Sequence, residues 1–401
     1  MDAADSRSGG GLLEACFGFL ALTIAIGIGR FSFTPIVALM KHRMVLSDAV
    51  LGTVASAHHL GYLAGVVIAF KVALDYRRSA QLIILLCAVN AGTFLLFPSL
   101  SDSVPVWLAL RVISGAASGV SFMLAVNAVA GALAAHQRTW LPFFSFSGVG
   151  VGIVIGALGC LAAGDDWRDA WRICGGIAGF GCVLLMGLFY GADWQRPLPV
   201  KVPSRHGANR QRYPFFLLFT YTVEGGAYIV TATFLVLGIT ESGIVQAEYA
   251  GWYWVGFGLV TAPSTLLWAK VVSRFGYGYS LAAAYWLQMA GALLATSEQI
   301  YALMVATLLL GITFMGITSI AILWARTLNP RVETLAMQLT LVYSIAQFAT
   351  PVLAGISLQS TGSVNQAYLA SAVALWFAGV LIWRAASGTK DQPNVVRNRS
   401  V

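Results

Sequence analysis

The chain has 401 residues, of which 58% are hydrophobic and only 10% charged, and its formal net charge is +8. Soluble domains average about 25% charged residues, so this composition excludes a water-exposed globule and places most of the chain in lipid. The basic residues lie mostly between apolar runs, which makes them topology signals rather than a nucleic-acid surface.

Met1 to Gly11 carries Asp2, Asp5 and a single Arg7, with no basic n-region and no small-residue cleavage site. The first apolar run is therefore expected to remain as a permanent span. Twelve runs are predicted as helices, because lipid leaves backbone polar groups no partner outside their own segment. The first, about 13–39, contains Gly27-Ile28-Gly29-Arg30-Phe31-Ser32-Phe33-Thr34-Pro35. An arginine at mid-membrane depth costs at least ~2.5–3.5 kcal/mol, so Arg30 is a candidate functional residue by default. The second, about 49–70, holds His58, His59 and Tyr62. Adjacent helical residues point about 100° apart, which makes the two histidines a poor chelate, and no HExxH or third ligand accompanies them. One of them facing a cavity would serve as a proton relay.

The third run, about 80–97, follows the basic loop Asp75-Tyr76-Arg77-Arg78, and the fourth, about 105–132, contains Arg111. The fifth, about 141–163, places Gly148, Gly152, Gly156, Cys160 and Gly164 four residues apart, a small-residue stripe that permits close helix approach. Asp165, Asp166 and Asp169 interleave with Arg168 and Arg172 before the sixth run, about 171–191, and read as a salt-bridged loop rather than a metal site. Trp107, Trp140, Trp167, Trp171 and Trp252 fall near span ends and are expected to form an interfacial belt. The five cysteines all lie in apolar runs, with no disulfide framework or metal spacing.

Asp193 to Arg212 is the longest polar gap and divides the chain into six spans before and six after, the latter at about 214–238, 249–269, 279–297, 300–325, 335–358 and 366–385. The expected organisation is a six-helix bundle over 12–191, a cytoplasmic linker over 192–213, a second bundle over 214–385 and a cytoplasmic tail over 386–401. Gly29/Gly226, Thr34/Thr231 and Ser147/Ser344 are each 197 positions apart, which points to two parallel repeats related by an axis along the membrane normal. With the N-terminus inside, eighteen lysines and arginines fall in cytoplasmic segments and four, Lys41, Arg43, Arg168 and Arg172, outside. Both termini are then cytoplasmic.

Glu224 is the only acidic residue well inside any predicted span, which makes it the candidate protonatable coupling group. The repeat offset sets it three residues, roughly 4.5 Å of helix rise, from the counterpart of Arg30. A cross-bundle ion pair is one expectation, fixed or broken during a cycle. Tyr228 lies one turn from Glu224 on the same face, a candidate cavity residue. Tyr62, Asn127, Tyr221, Gln288, Gln338, Tyr343 and Gln347 read mostly as interhelical hydrogen-bonding groups. Arg30 and Arg111 against Glu224 leave the interior at +2 and −1, which favours an anionic solute held by a guanidinium fork.

Twelve spans in two parallel halves joined by a basic loop resemble the major facilitator superfamily. Arg111-Val-Ile-Ser-Gly115-Ala-Ala-Ser-Gly119 is similar to its RxxxGxxxG pattern, whose arginine the superfamily associates with gating or proton coupling. The stripe of the fifth helix resembles the antiporter motif without its proline. The loop after the second helix is a degenerate form of GxxxDRxGRR. More narrowly, GIGRFSFTP, His59-Leu-Gly61-Tyr62-Leu-Ala-Gly65 and Glu224-Gly-Gly-Ala-Tyr228-Ile-Val-Thr231 resemble the bacterial YbfB/YjiJ-like branch.

The resemblance implies an all-α membrane protein that carries solutes by alternating access, in the bacterial inner membrane. It is expected to be a monomeric secondary transporter, proton-coupled, for a small organic anion, with Arg30, Glu224, Arg111, Tyr228, Tyr62, His58 and His59 as substrate or coupling residues. The alternative is a proton-linked exporter of drugs or metabolites, in which Glu224 binds a cation. No GxSxG elbow, HExxH or P-loop supports an enzyme or a nucleotide-driven pump, and no cofactor, metal or nucleic-acid partner is expected.

Overall fold

The computed structural model describes residues 11–44, 48–72, 74–100, 103–129, 138, 140–194, 212–241, 250–297, 299–328, 334–361 and 365–387. Every regular element among them is helical. Helix α1 comes in four consecutive pieces: Leu12–Leu22, a π-helical turn Thr23–Ile28, the single turn Gly29–Phe31, and Phe33–Met44. There follow α2 (Asp48–Ala69), α3 (Tyr76–Leu100), and α4 (Val104–Leu124, continued by a second π-helical turn Ala125–Val129). Then come α5 (Trp140–Ala162), α6 (Trp167–Gly191), α7 (Arg212–Glu241) and α8 (Ala250–Phe275). The chain closes with α9 (Tyr277–Leu294), α10 (Ile300–Leu328), α11 (Thr334–Thr361) and α12 (Asn365–Ser387). Most of the predicted linker and tail lie outside the described residues.

Among the described residues, ten helices are long and apolar enough to cross a membrane. The other two are α9 and α11, which carry Ser280 and Gln288, and Thr340, Ser344 and Gln347, all buried. Their polar side chains point into the protein, and Leu335–Thr350 of α11 is itself an apolar stretch.

The pairing of helices repeats. In the first six, α2 packs on α4, α3 on α4 and α6, and α1 on α5; in the second six, α8 packs on α10, α9 on α10 and α12, and α7 on α11. The first six meet the second mainly through α5 against α8 and α2 against α11. Lipid supplies no hydrophobic force between helices, so close backbone contact has to hold them. The glycines provide it. On α5, a Cβ at Gly148 would overlap Phe19 O, one at Gly152 would overlap Thr23 O, and one at Gly156 would overlap Ser32 Oγ, all on α1. On another face of α5, Gly150 lies against Ala262, while a Cβ at Gly258 would lie 2.8 Å from Gly150 O, so this pair of glycines sits at the contact between the halves.

The tryptophan belt needs correction. Trp140 and Trp252 are 41% and 56% exposed, as a belt requires, but Trp107, Trp167 and Trp171 are at most 3% exposed. Phe97 stacks between Trp107 and Trp171 with centroids 5.5 and 4.1 Å away, so these rings form the aromatic core of the first six helices. In the loop before α6, Asp166 caps the helix by accepting from Arg168 N–H at 2.8 Å, and Asp169 pairs with Arg172 at 2.8 Å. Both are half-exposed ion-pair partners in the second case, which limits that pair to a few tenths of a kcal/mol, roughly 0.3–0.5.

Candidate functional site

Arg30 is positioned by an interrupted helix. In the π-helical turn, Gly29 N–H returns to Ile24 O, five residues back rather than four. That extra residue re-phases every side chain beyond it, and such turns recur at functional sites. Thr23 Oγ1 lies 2.8 Å from Phe19 O and 2.9 Å from Gly148 O, and Ser118 Oγ donates to Ala25 O at 2.7 Å. Ser118 also accepts from Asn90 Nδ2 at 2.7 Å, while Ser114 Oγ donates to Asn90 Oδ1 at 2.6 Å. A chain of polar groups from α4 through α3 therefore holds the turn before Arg30. Gly29 is required there, since a Cβ would sit 2.9 Å from the Asn90 amide.

From this turn the half-buried Arg30 side chain crosses to the second half. Its Nη2 donates to Gln347 Oε1 on α11 at 2.7 Å, and its guanidinium lies 5.2 Å from the centre of the Tyr62 ring and 5.4 Å from that of Phe31. Glu224 is fully buried on α7; its Oε1 accepts from Gln288 Nε2 of α9 at 3.4 Å, and its Oε2 has no hydrogen-bond partner in the protein. The two charges are not paired with each other: each is met by a neutral amide. Tyrosines stand in the place of the direct pair. Tyr228 and Tyr343 are within electrostatic range of both Arg30 and Glu224. Tyr228 stacks on Phe314 at 4.3 Å and Tyr343 on Tyr221 at 4.7 Å. The close approach of α7 and α11 at Gly225, where a Cβ would lie 2.8 Å from the Tyr343 ring, sets that layer.

At this cluster several buried polar atoms have no protein partner. Among the described residues they include Glu224 Oε2, Gln288 Oε1, Gln347 Nε2 and the hydroxyls of Tyr228 and Tyr343. An unsatisfied buried polar atom costs about 1–3 kcal/mol, which makes this group of them the candidate site.

Arg111 occupies a separate environment on α4. It is 2% exposed, its guanidinium lies 4.2 Å from the Phe33 ring centre and 6.0 Å from that of Trp171, and its Nε and Nη1 have no hydrogen-bond partner. His58 is fully buried with both ring nitrogens unpartnered, while His59 Nδ1 lies 3.1 Å from Ala55 O and must carry the proton, because a carbonyl only accepts. Both histidines are within electrostatic range of Arg30 and Arg111. The first half thus carries the cationic side of the site with Tyr62, and the second half its carboxylate, amides and the other phenols.

Three features were not legible beforehand. Gln288 and Gln347 read in sequence as ordinary interhelical amides, although both touch the intramembrane charges. Glu14 is buried at the start of α1, where its Oε1 accepts from Asp193 N–H at 2.7 Å and fixes the exit of α6. Arg326, near the end of α10, donates to Val126 O and, at 3.1 Å, to Asn127 O in the π-helical end of α4. That contact joins the two halves on the face of the bundle where α1 begins, since Gly18 there abuts Val129.

A family profile described as "Uncharacterised MFS-type transporter YbfB" matches residues 22–383. A crystal structure of a D-xylose–proton symporter is similar over 93% of this chain and 96% of that chain, with a TM-score of 0.69 and 14% sequence identity. At that identity the likeness concerns the fold alone. No curated protein matches the sequence.

Proposed function

The chain belongs to the family of YbfB MFS-type transporters, and from that premise we propose that it couples protons to the movement of a small organic anion by alternating access. As a member of that family it is a secondary transporter and a multi-pass membrane protein. The finer reading is two six-helix bundles, 12–191 and 214–385, that rock about the α5–α8 and α2–α11 contacts. On this reading both termini are cytoplasmic and the chain works as a monomer in the bacterial inner membrane.

The observation that supports it is the arrangement of charge. Arg30 from the first half and Glu224 from the second approach one buried cluster, and each is met by an amide rather than by the other. Amide contacts are weaker than ion pairs, so a substrate carboxylate can displace Gln347 from Arg30. Glu224 then has freedom to take and release a proton as access alternates. Tyr62 and Tyr228 wall the cluster, and Arg111, His58 and His59 set the field of the first half.

Two substitutions test these roles in proteoliposomes. Glu224→Gln keeps shape and hydrogen bonding but cannot titrate, so proton-driven accumulation should fall to the equilibrium level while exchange of substrate across the bilayer persists. Wild-type accumulation by that variant would remove Glu224 from the coupling role. Arg30→Lys keeps the charge and loses the planar fork; affinity for an anion should weaken about tenfold or more, the equivalent of ~1.4 kcal/mol. Unchanged anion transport by Arg30→Lys, together with transport of a cation that depends on Glu224, would favour the exporter reading instead.

A further inference from the structure

The hydrogen-bonding capacity left over at the cluster has a direction. A guanidinium can only donate, so the amide oxygen of Gln347 must face Arg30 and its nitrogen, Nε2, remains unpartnered. In its ionised form the Glu224 carboxylate can only accept, so in that form the amide nitrogen of Gln288 faces it and Gln288 Oε1 remains unpartnered, as does Oε2 of Glu224 itself. The fixed charge of the guanidinium dictates the first assignment, and the ionised form of Glu224 dictates the second. The Arg30 end therefore offers donors, the remaining N–H groups of the guanidinium and the Gln347 amide. The Glu224 end offers acceptors. The hydroxyls of Tyr228 and Tyr343, within electrostatic range of both charges, can do either, on rings stacked against Phe314 and Tyr221.

From this gradient we infer that the substrate is two-ended: a carboxylate at the Arg30–Gln347 end, and a hydroxyl or ammonium donor at the Glu224–Gln288 end, joined by a short apolar or aromatic body. The inference rests on the proposed transport reading and narrows its substrate class from an anion to an acid that carries a separate donor. A simple acid would satisfy the first end and leave Glu224 Oε2 and Gln288 Oε1 buried and unmet. A site built to hydrogen-bond a substrate group rejects analogues that lack it far more strongly than a site that merely has space for them.

The test is calorimetric and thermal-shift titration of the purified full-length protein. The two-ended probes are 4-aminobutyrate, 5-aminopentanoate, 6-aminohexanoate, 3-hydroxybenzoate and 4-hydroxybenzoate. The one-ended counterparts are butyrate, pentanoate, hexanoate, benzoate, the corresponding alkylamines and phenol. At least one two-ended probe should bind about tenfold tighter than both of its counterparts, the margin of one satisfied buried hydrogen bond. In Gln288→Leu that advantage over the simple acid should shrink, and in Gln347→Leu the advantage over the amine or phenol should shrink. If either variant fails to fold, the comparison of probes on the unmodified protein decides alone. Equal binding of the simple acid overturns the inference, and so does the absence of binding by every two-ended probe. Acid-only binding together with uptake driven by a proton gradient overturns the two-ended substrate and leaves the proposed function standing. A two-ended preference with uptake indifferent to that gradient does the reverse.

Discussion

Replacing Gly115 with valine is expected to lower stability by about 3 kcal/mol or more, the upper range for overpacking a rigid contact. Helices α2 and α4 touch backbone to backbone through two glycines from each. A Cβ at Gly61 or Gly65 would overlap the carbonyl of Val112 or Ala116, and one at Gly115 or Gly119 would overlap the carbonyl of His58 or Tyr62. The obstacle is main chain on both sides, so no side-chain rotation relieves it, and α2 must move away. Such a movement also displaces His58 and Tyr62 and disturbs the α2–α11 contact. Gly179→Ala is the matching control, because a Cβ there meets nothing within 4 Å. That change should stabilise by about 0.5–1 kcal/mol, the ordinary helical advantage of alanine over glycine. Melting temperature and the monodisperse fraction on size exclusion measure both. Equal shifts for Gly115→Val and Gly179→Ala would show that the close approach is not what holds α2 to α4.

Arg111→Met should do the opposite to stability and remove function. Among the described residues no carboxylate pairs with Arg111, whose Nε and Nη1 are both unmatched. Burying a charge costs several kcal/mol, while cation–π attraction to a desolvated ring returns about 2 kcal/mol. The balance is against the arginine, so a methionine of comparable length packed on Phe33 and Trp171 should raise the melting temperature, with a gain on the order of 1–4 kcal/mol by analogy with buried ion pairs replaced by apolar groups. A stability cost retained at one position is the usual mark of a functional group. Transport by Arg111→Met should therefore be lost in a protein that is better folded. A melting temperature that falls, with transport intact, would make Arg111 a structural brace for the aromatic core.

What could be read from the residues follows from what each pattern encodes. The four-residue stripe of α5 specified a face, and that face lies against α1 as spacing requires. Arg30 and Glu224 were identifiable because charge in an apolar run is expensive wherever the side chain points. Their partners were not. Repeat offset gives depth along a helix but not rotation about it, so the one-turn separation allowed a direct pair that the tyrosine layer and two glutamines replace. The same limit misplaced Trp107, Trp167 and Trp171: position near a span end was correct, but whether a ring faces lipid or core is a matter of rotation. The π-helical turn in α1 left no trace in composition, since Thr23 to Ile28 reads as ordinary helix. Its supports, Asn90, Ser114 and Ser118, are small polar groups whose importance lies only in what they touch. Gln288 and Gln347 stand in apolar stretches of α9 and α11, where the sequence gives their depth but not what they touch.

The contact of Arg326 with α4 has a further consequence for energetics. Among its acceptors are Val126 O and Asn127 O, which belong to the main chain. A peptide carbonyl does not ionise at any physiological pH, and no substitution at its own residue deletes it. A clasp between side-chain carboxylates and arginines would loosen as the medium acidified; these two hydrogen bonds to main-chain oxygens are the same on either side of a proton gradient.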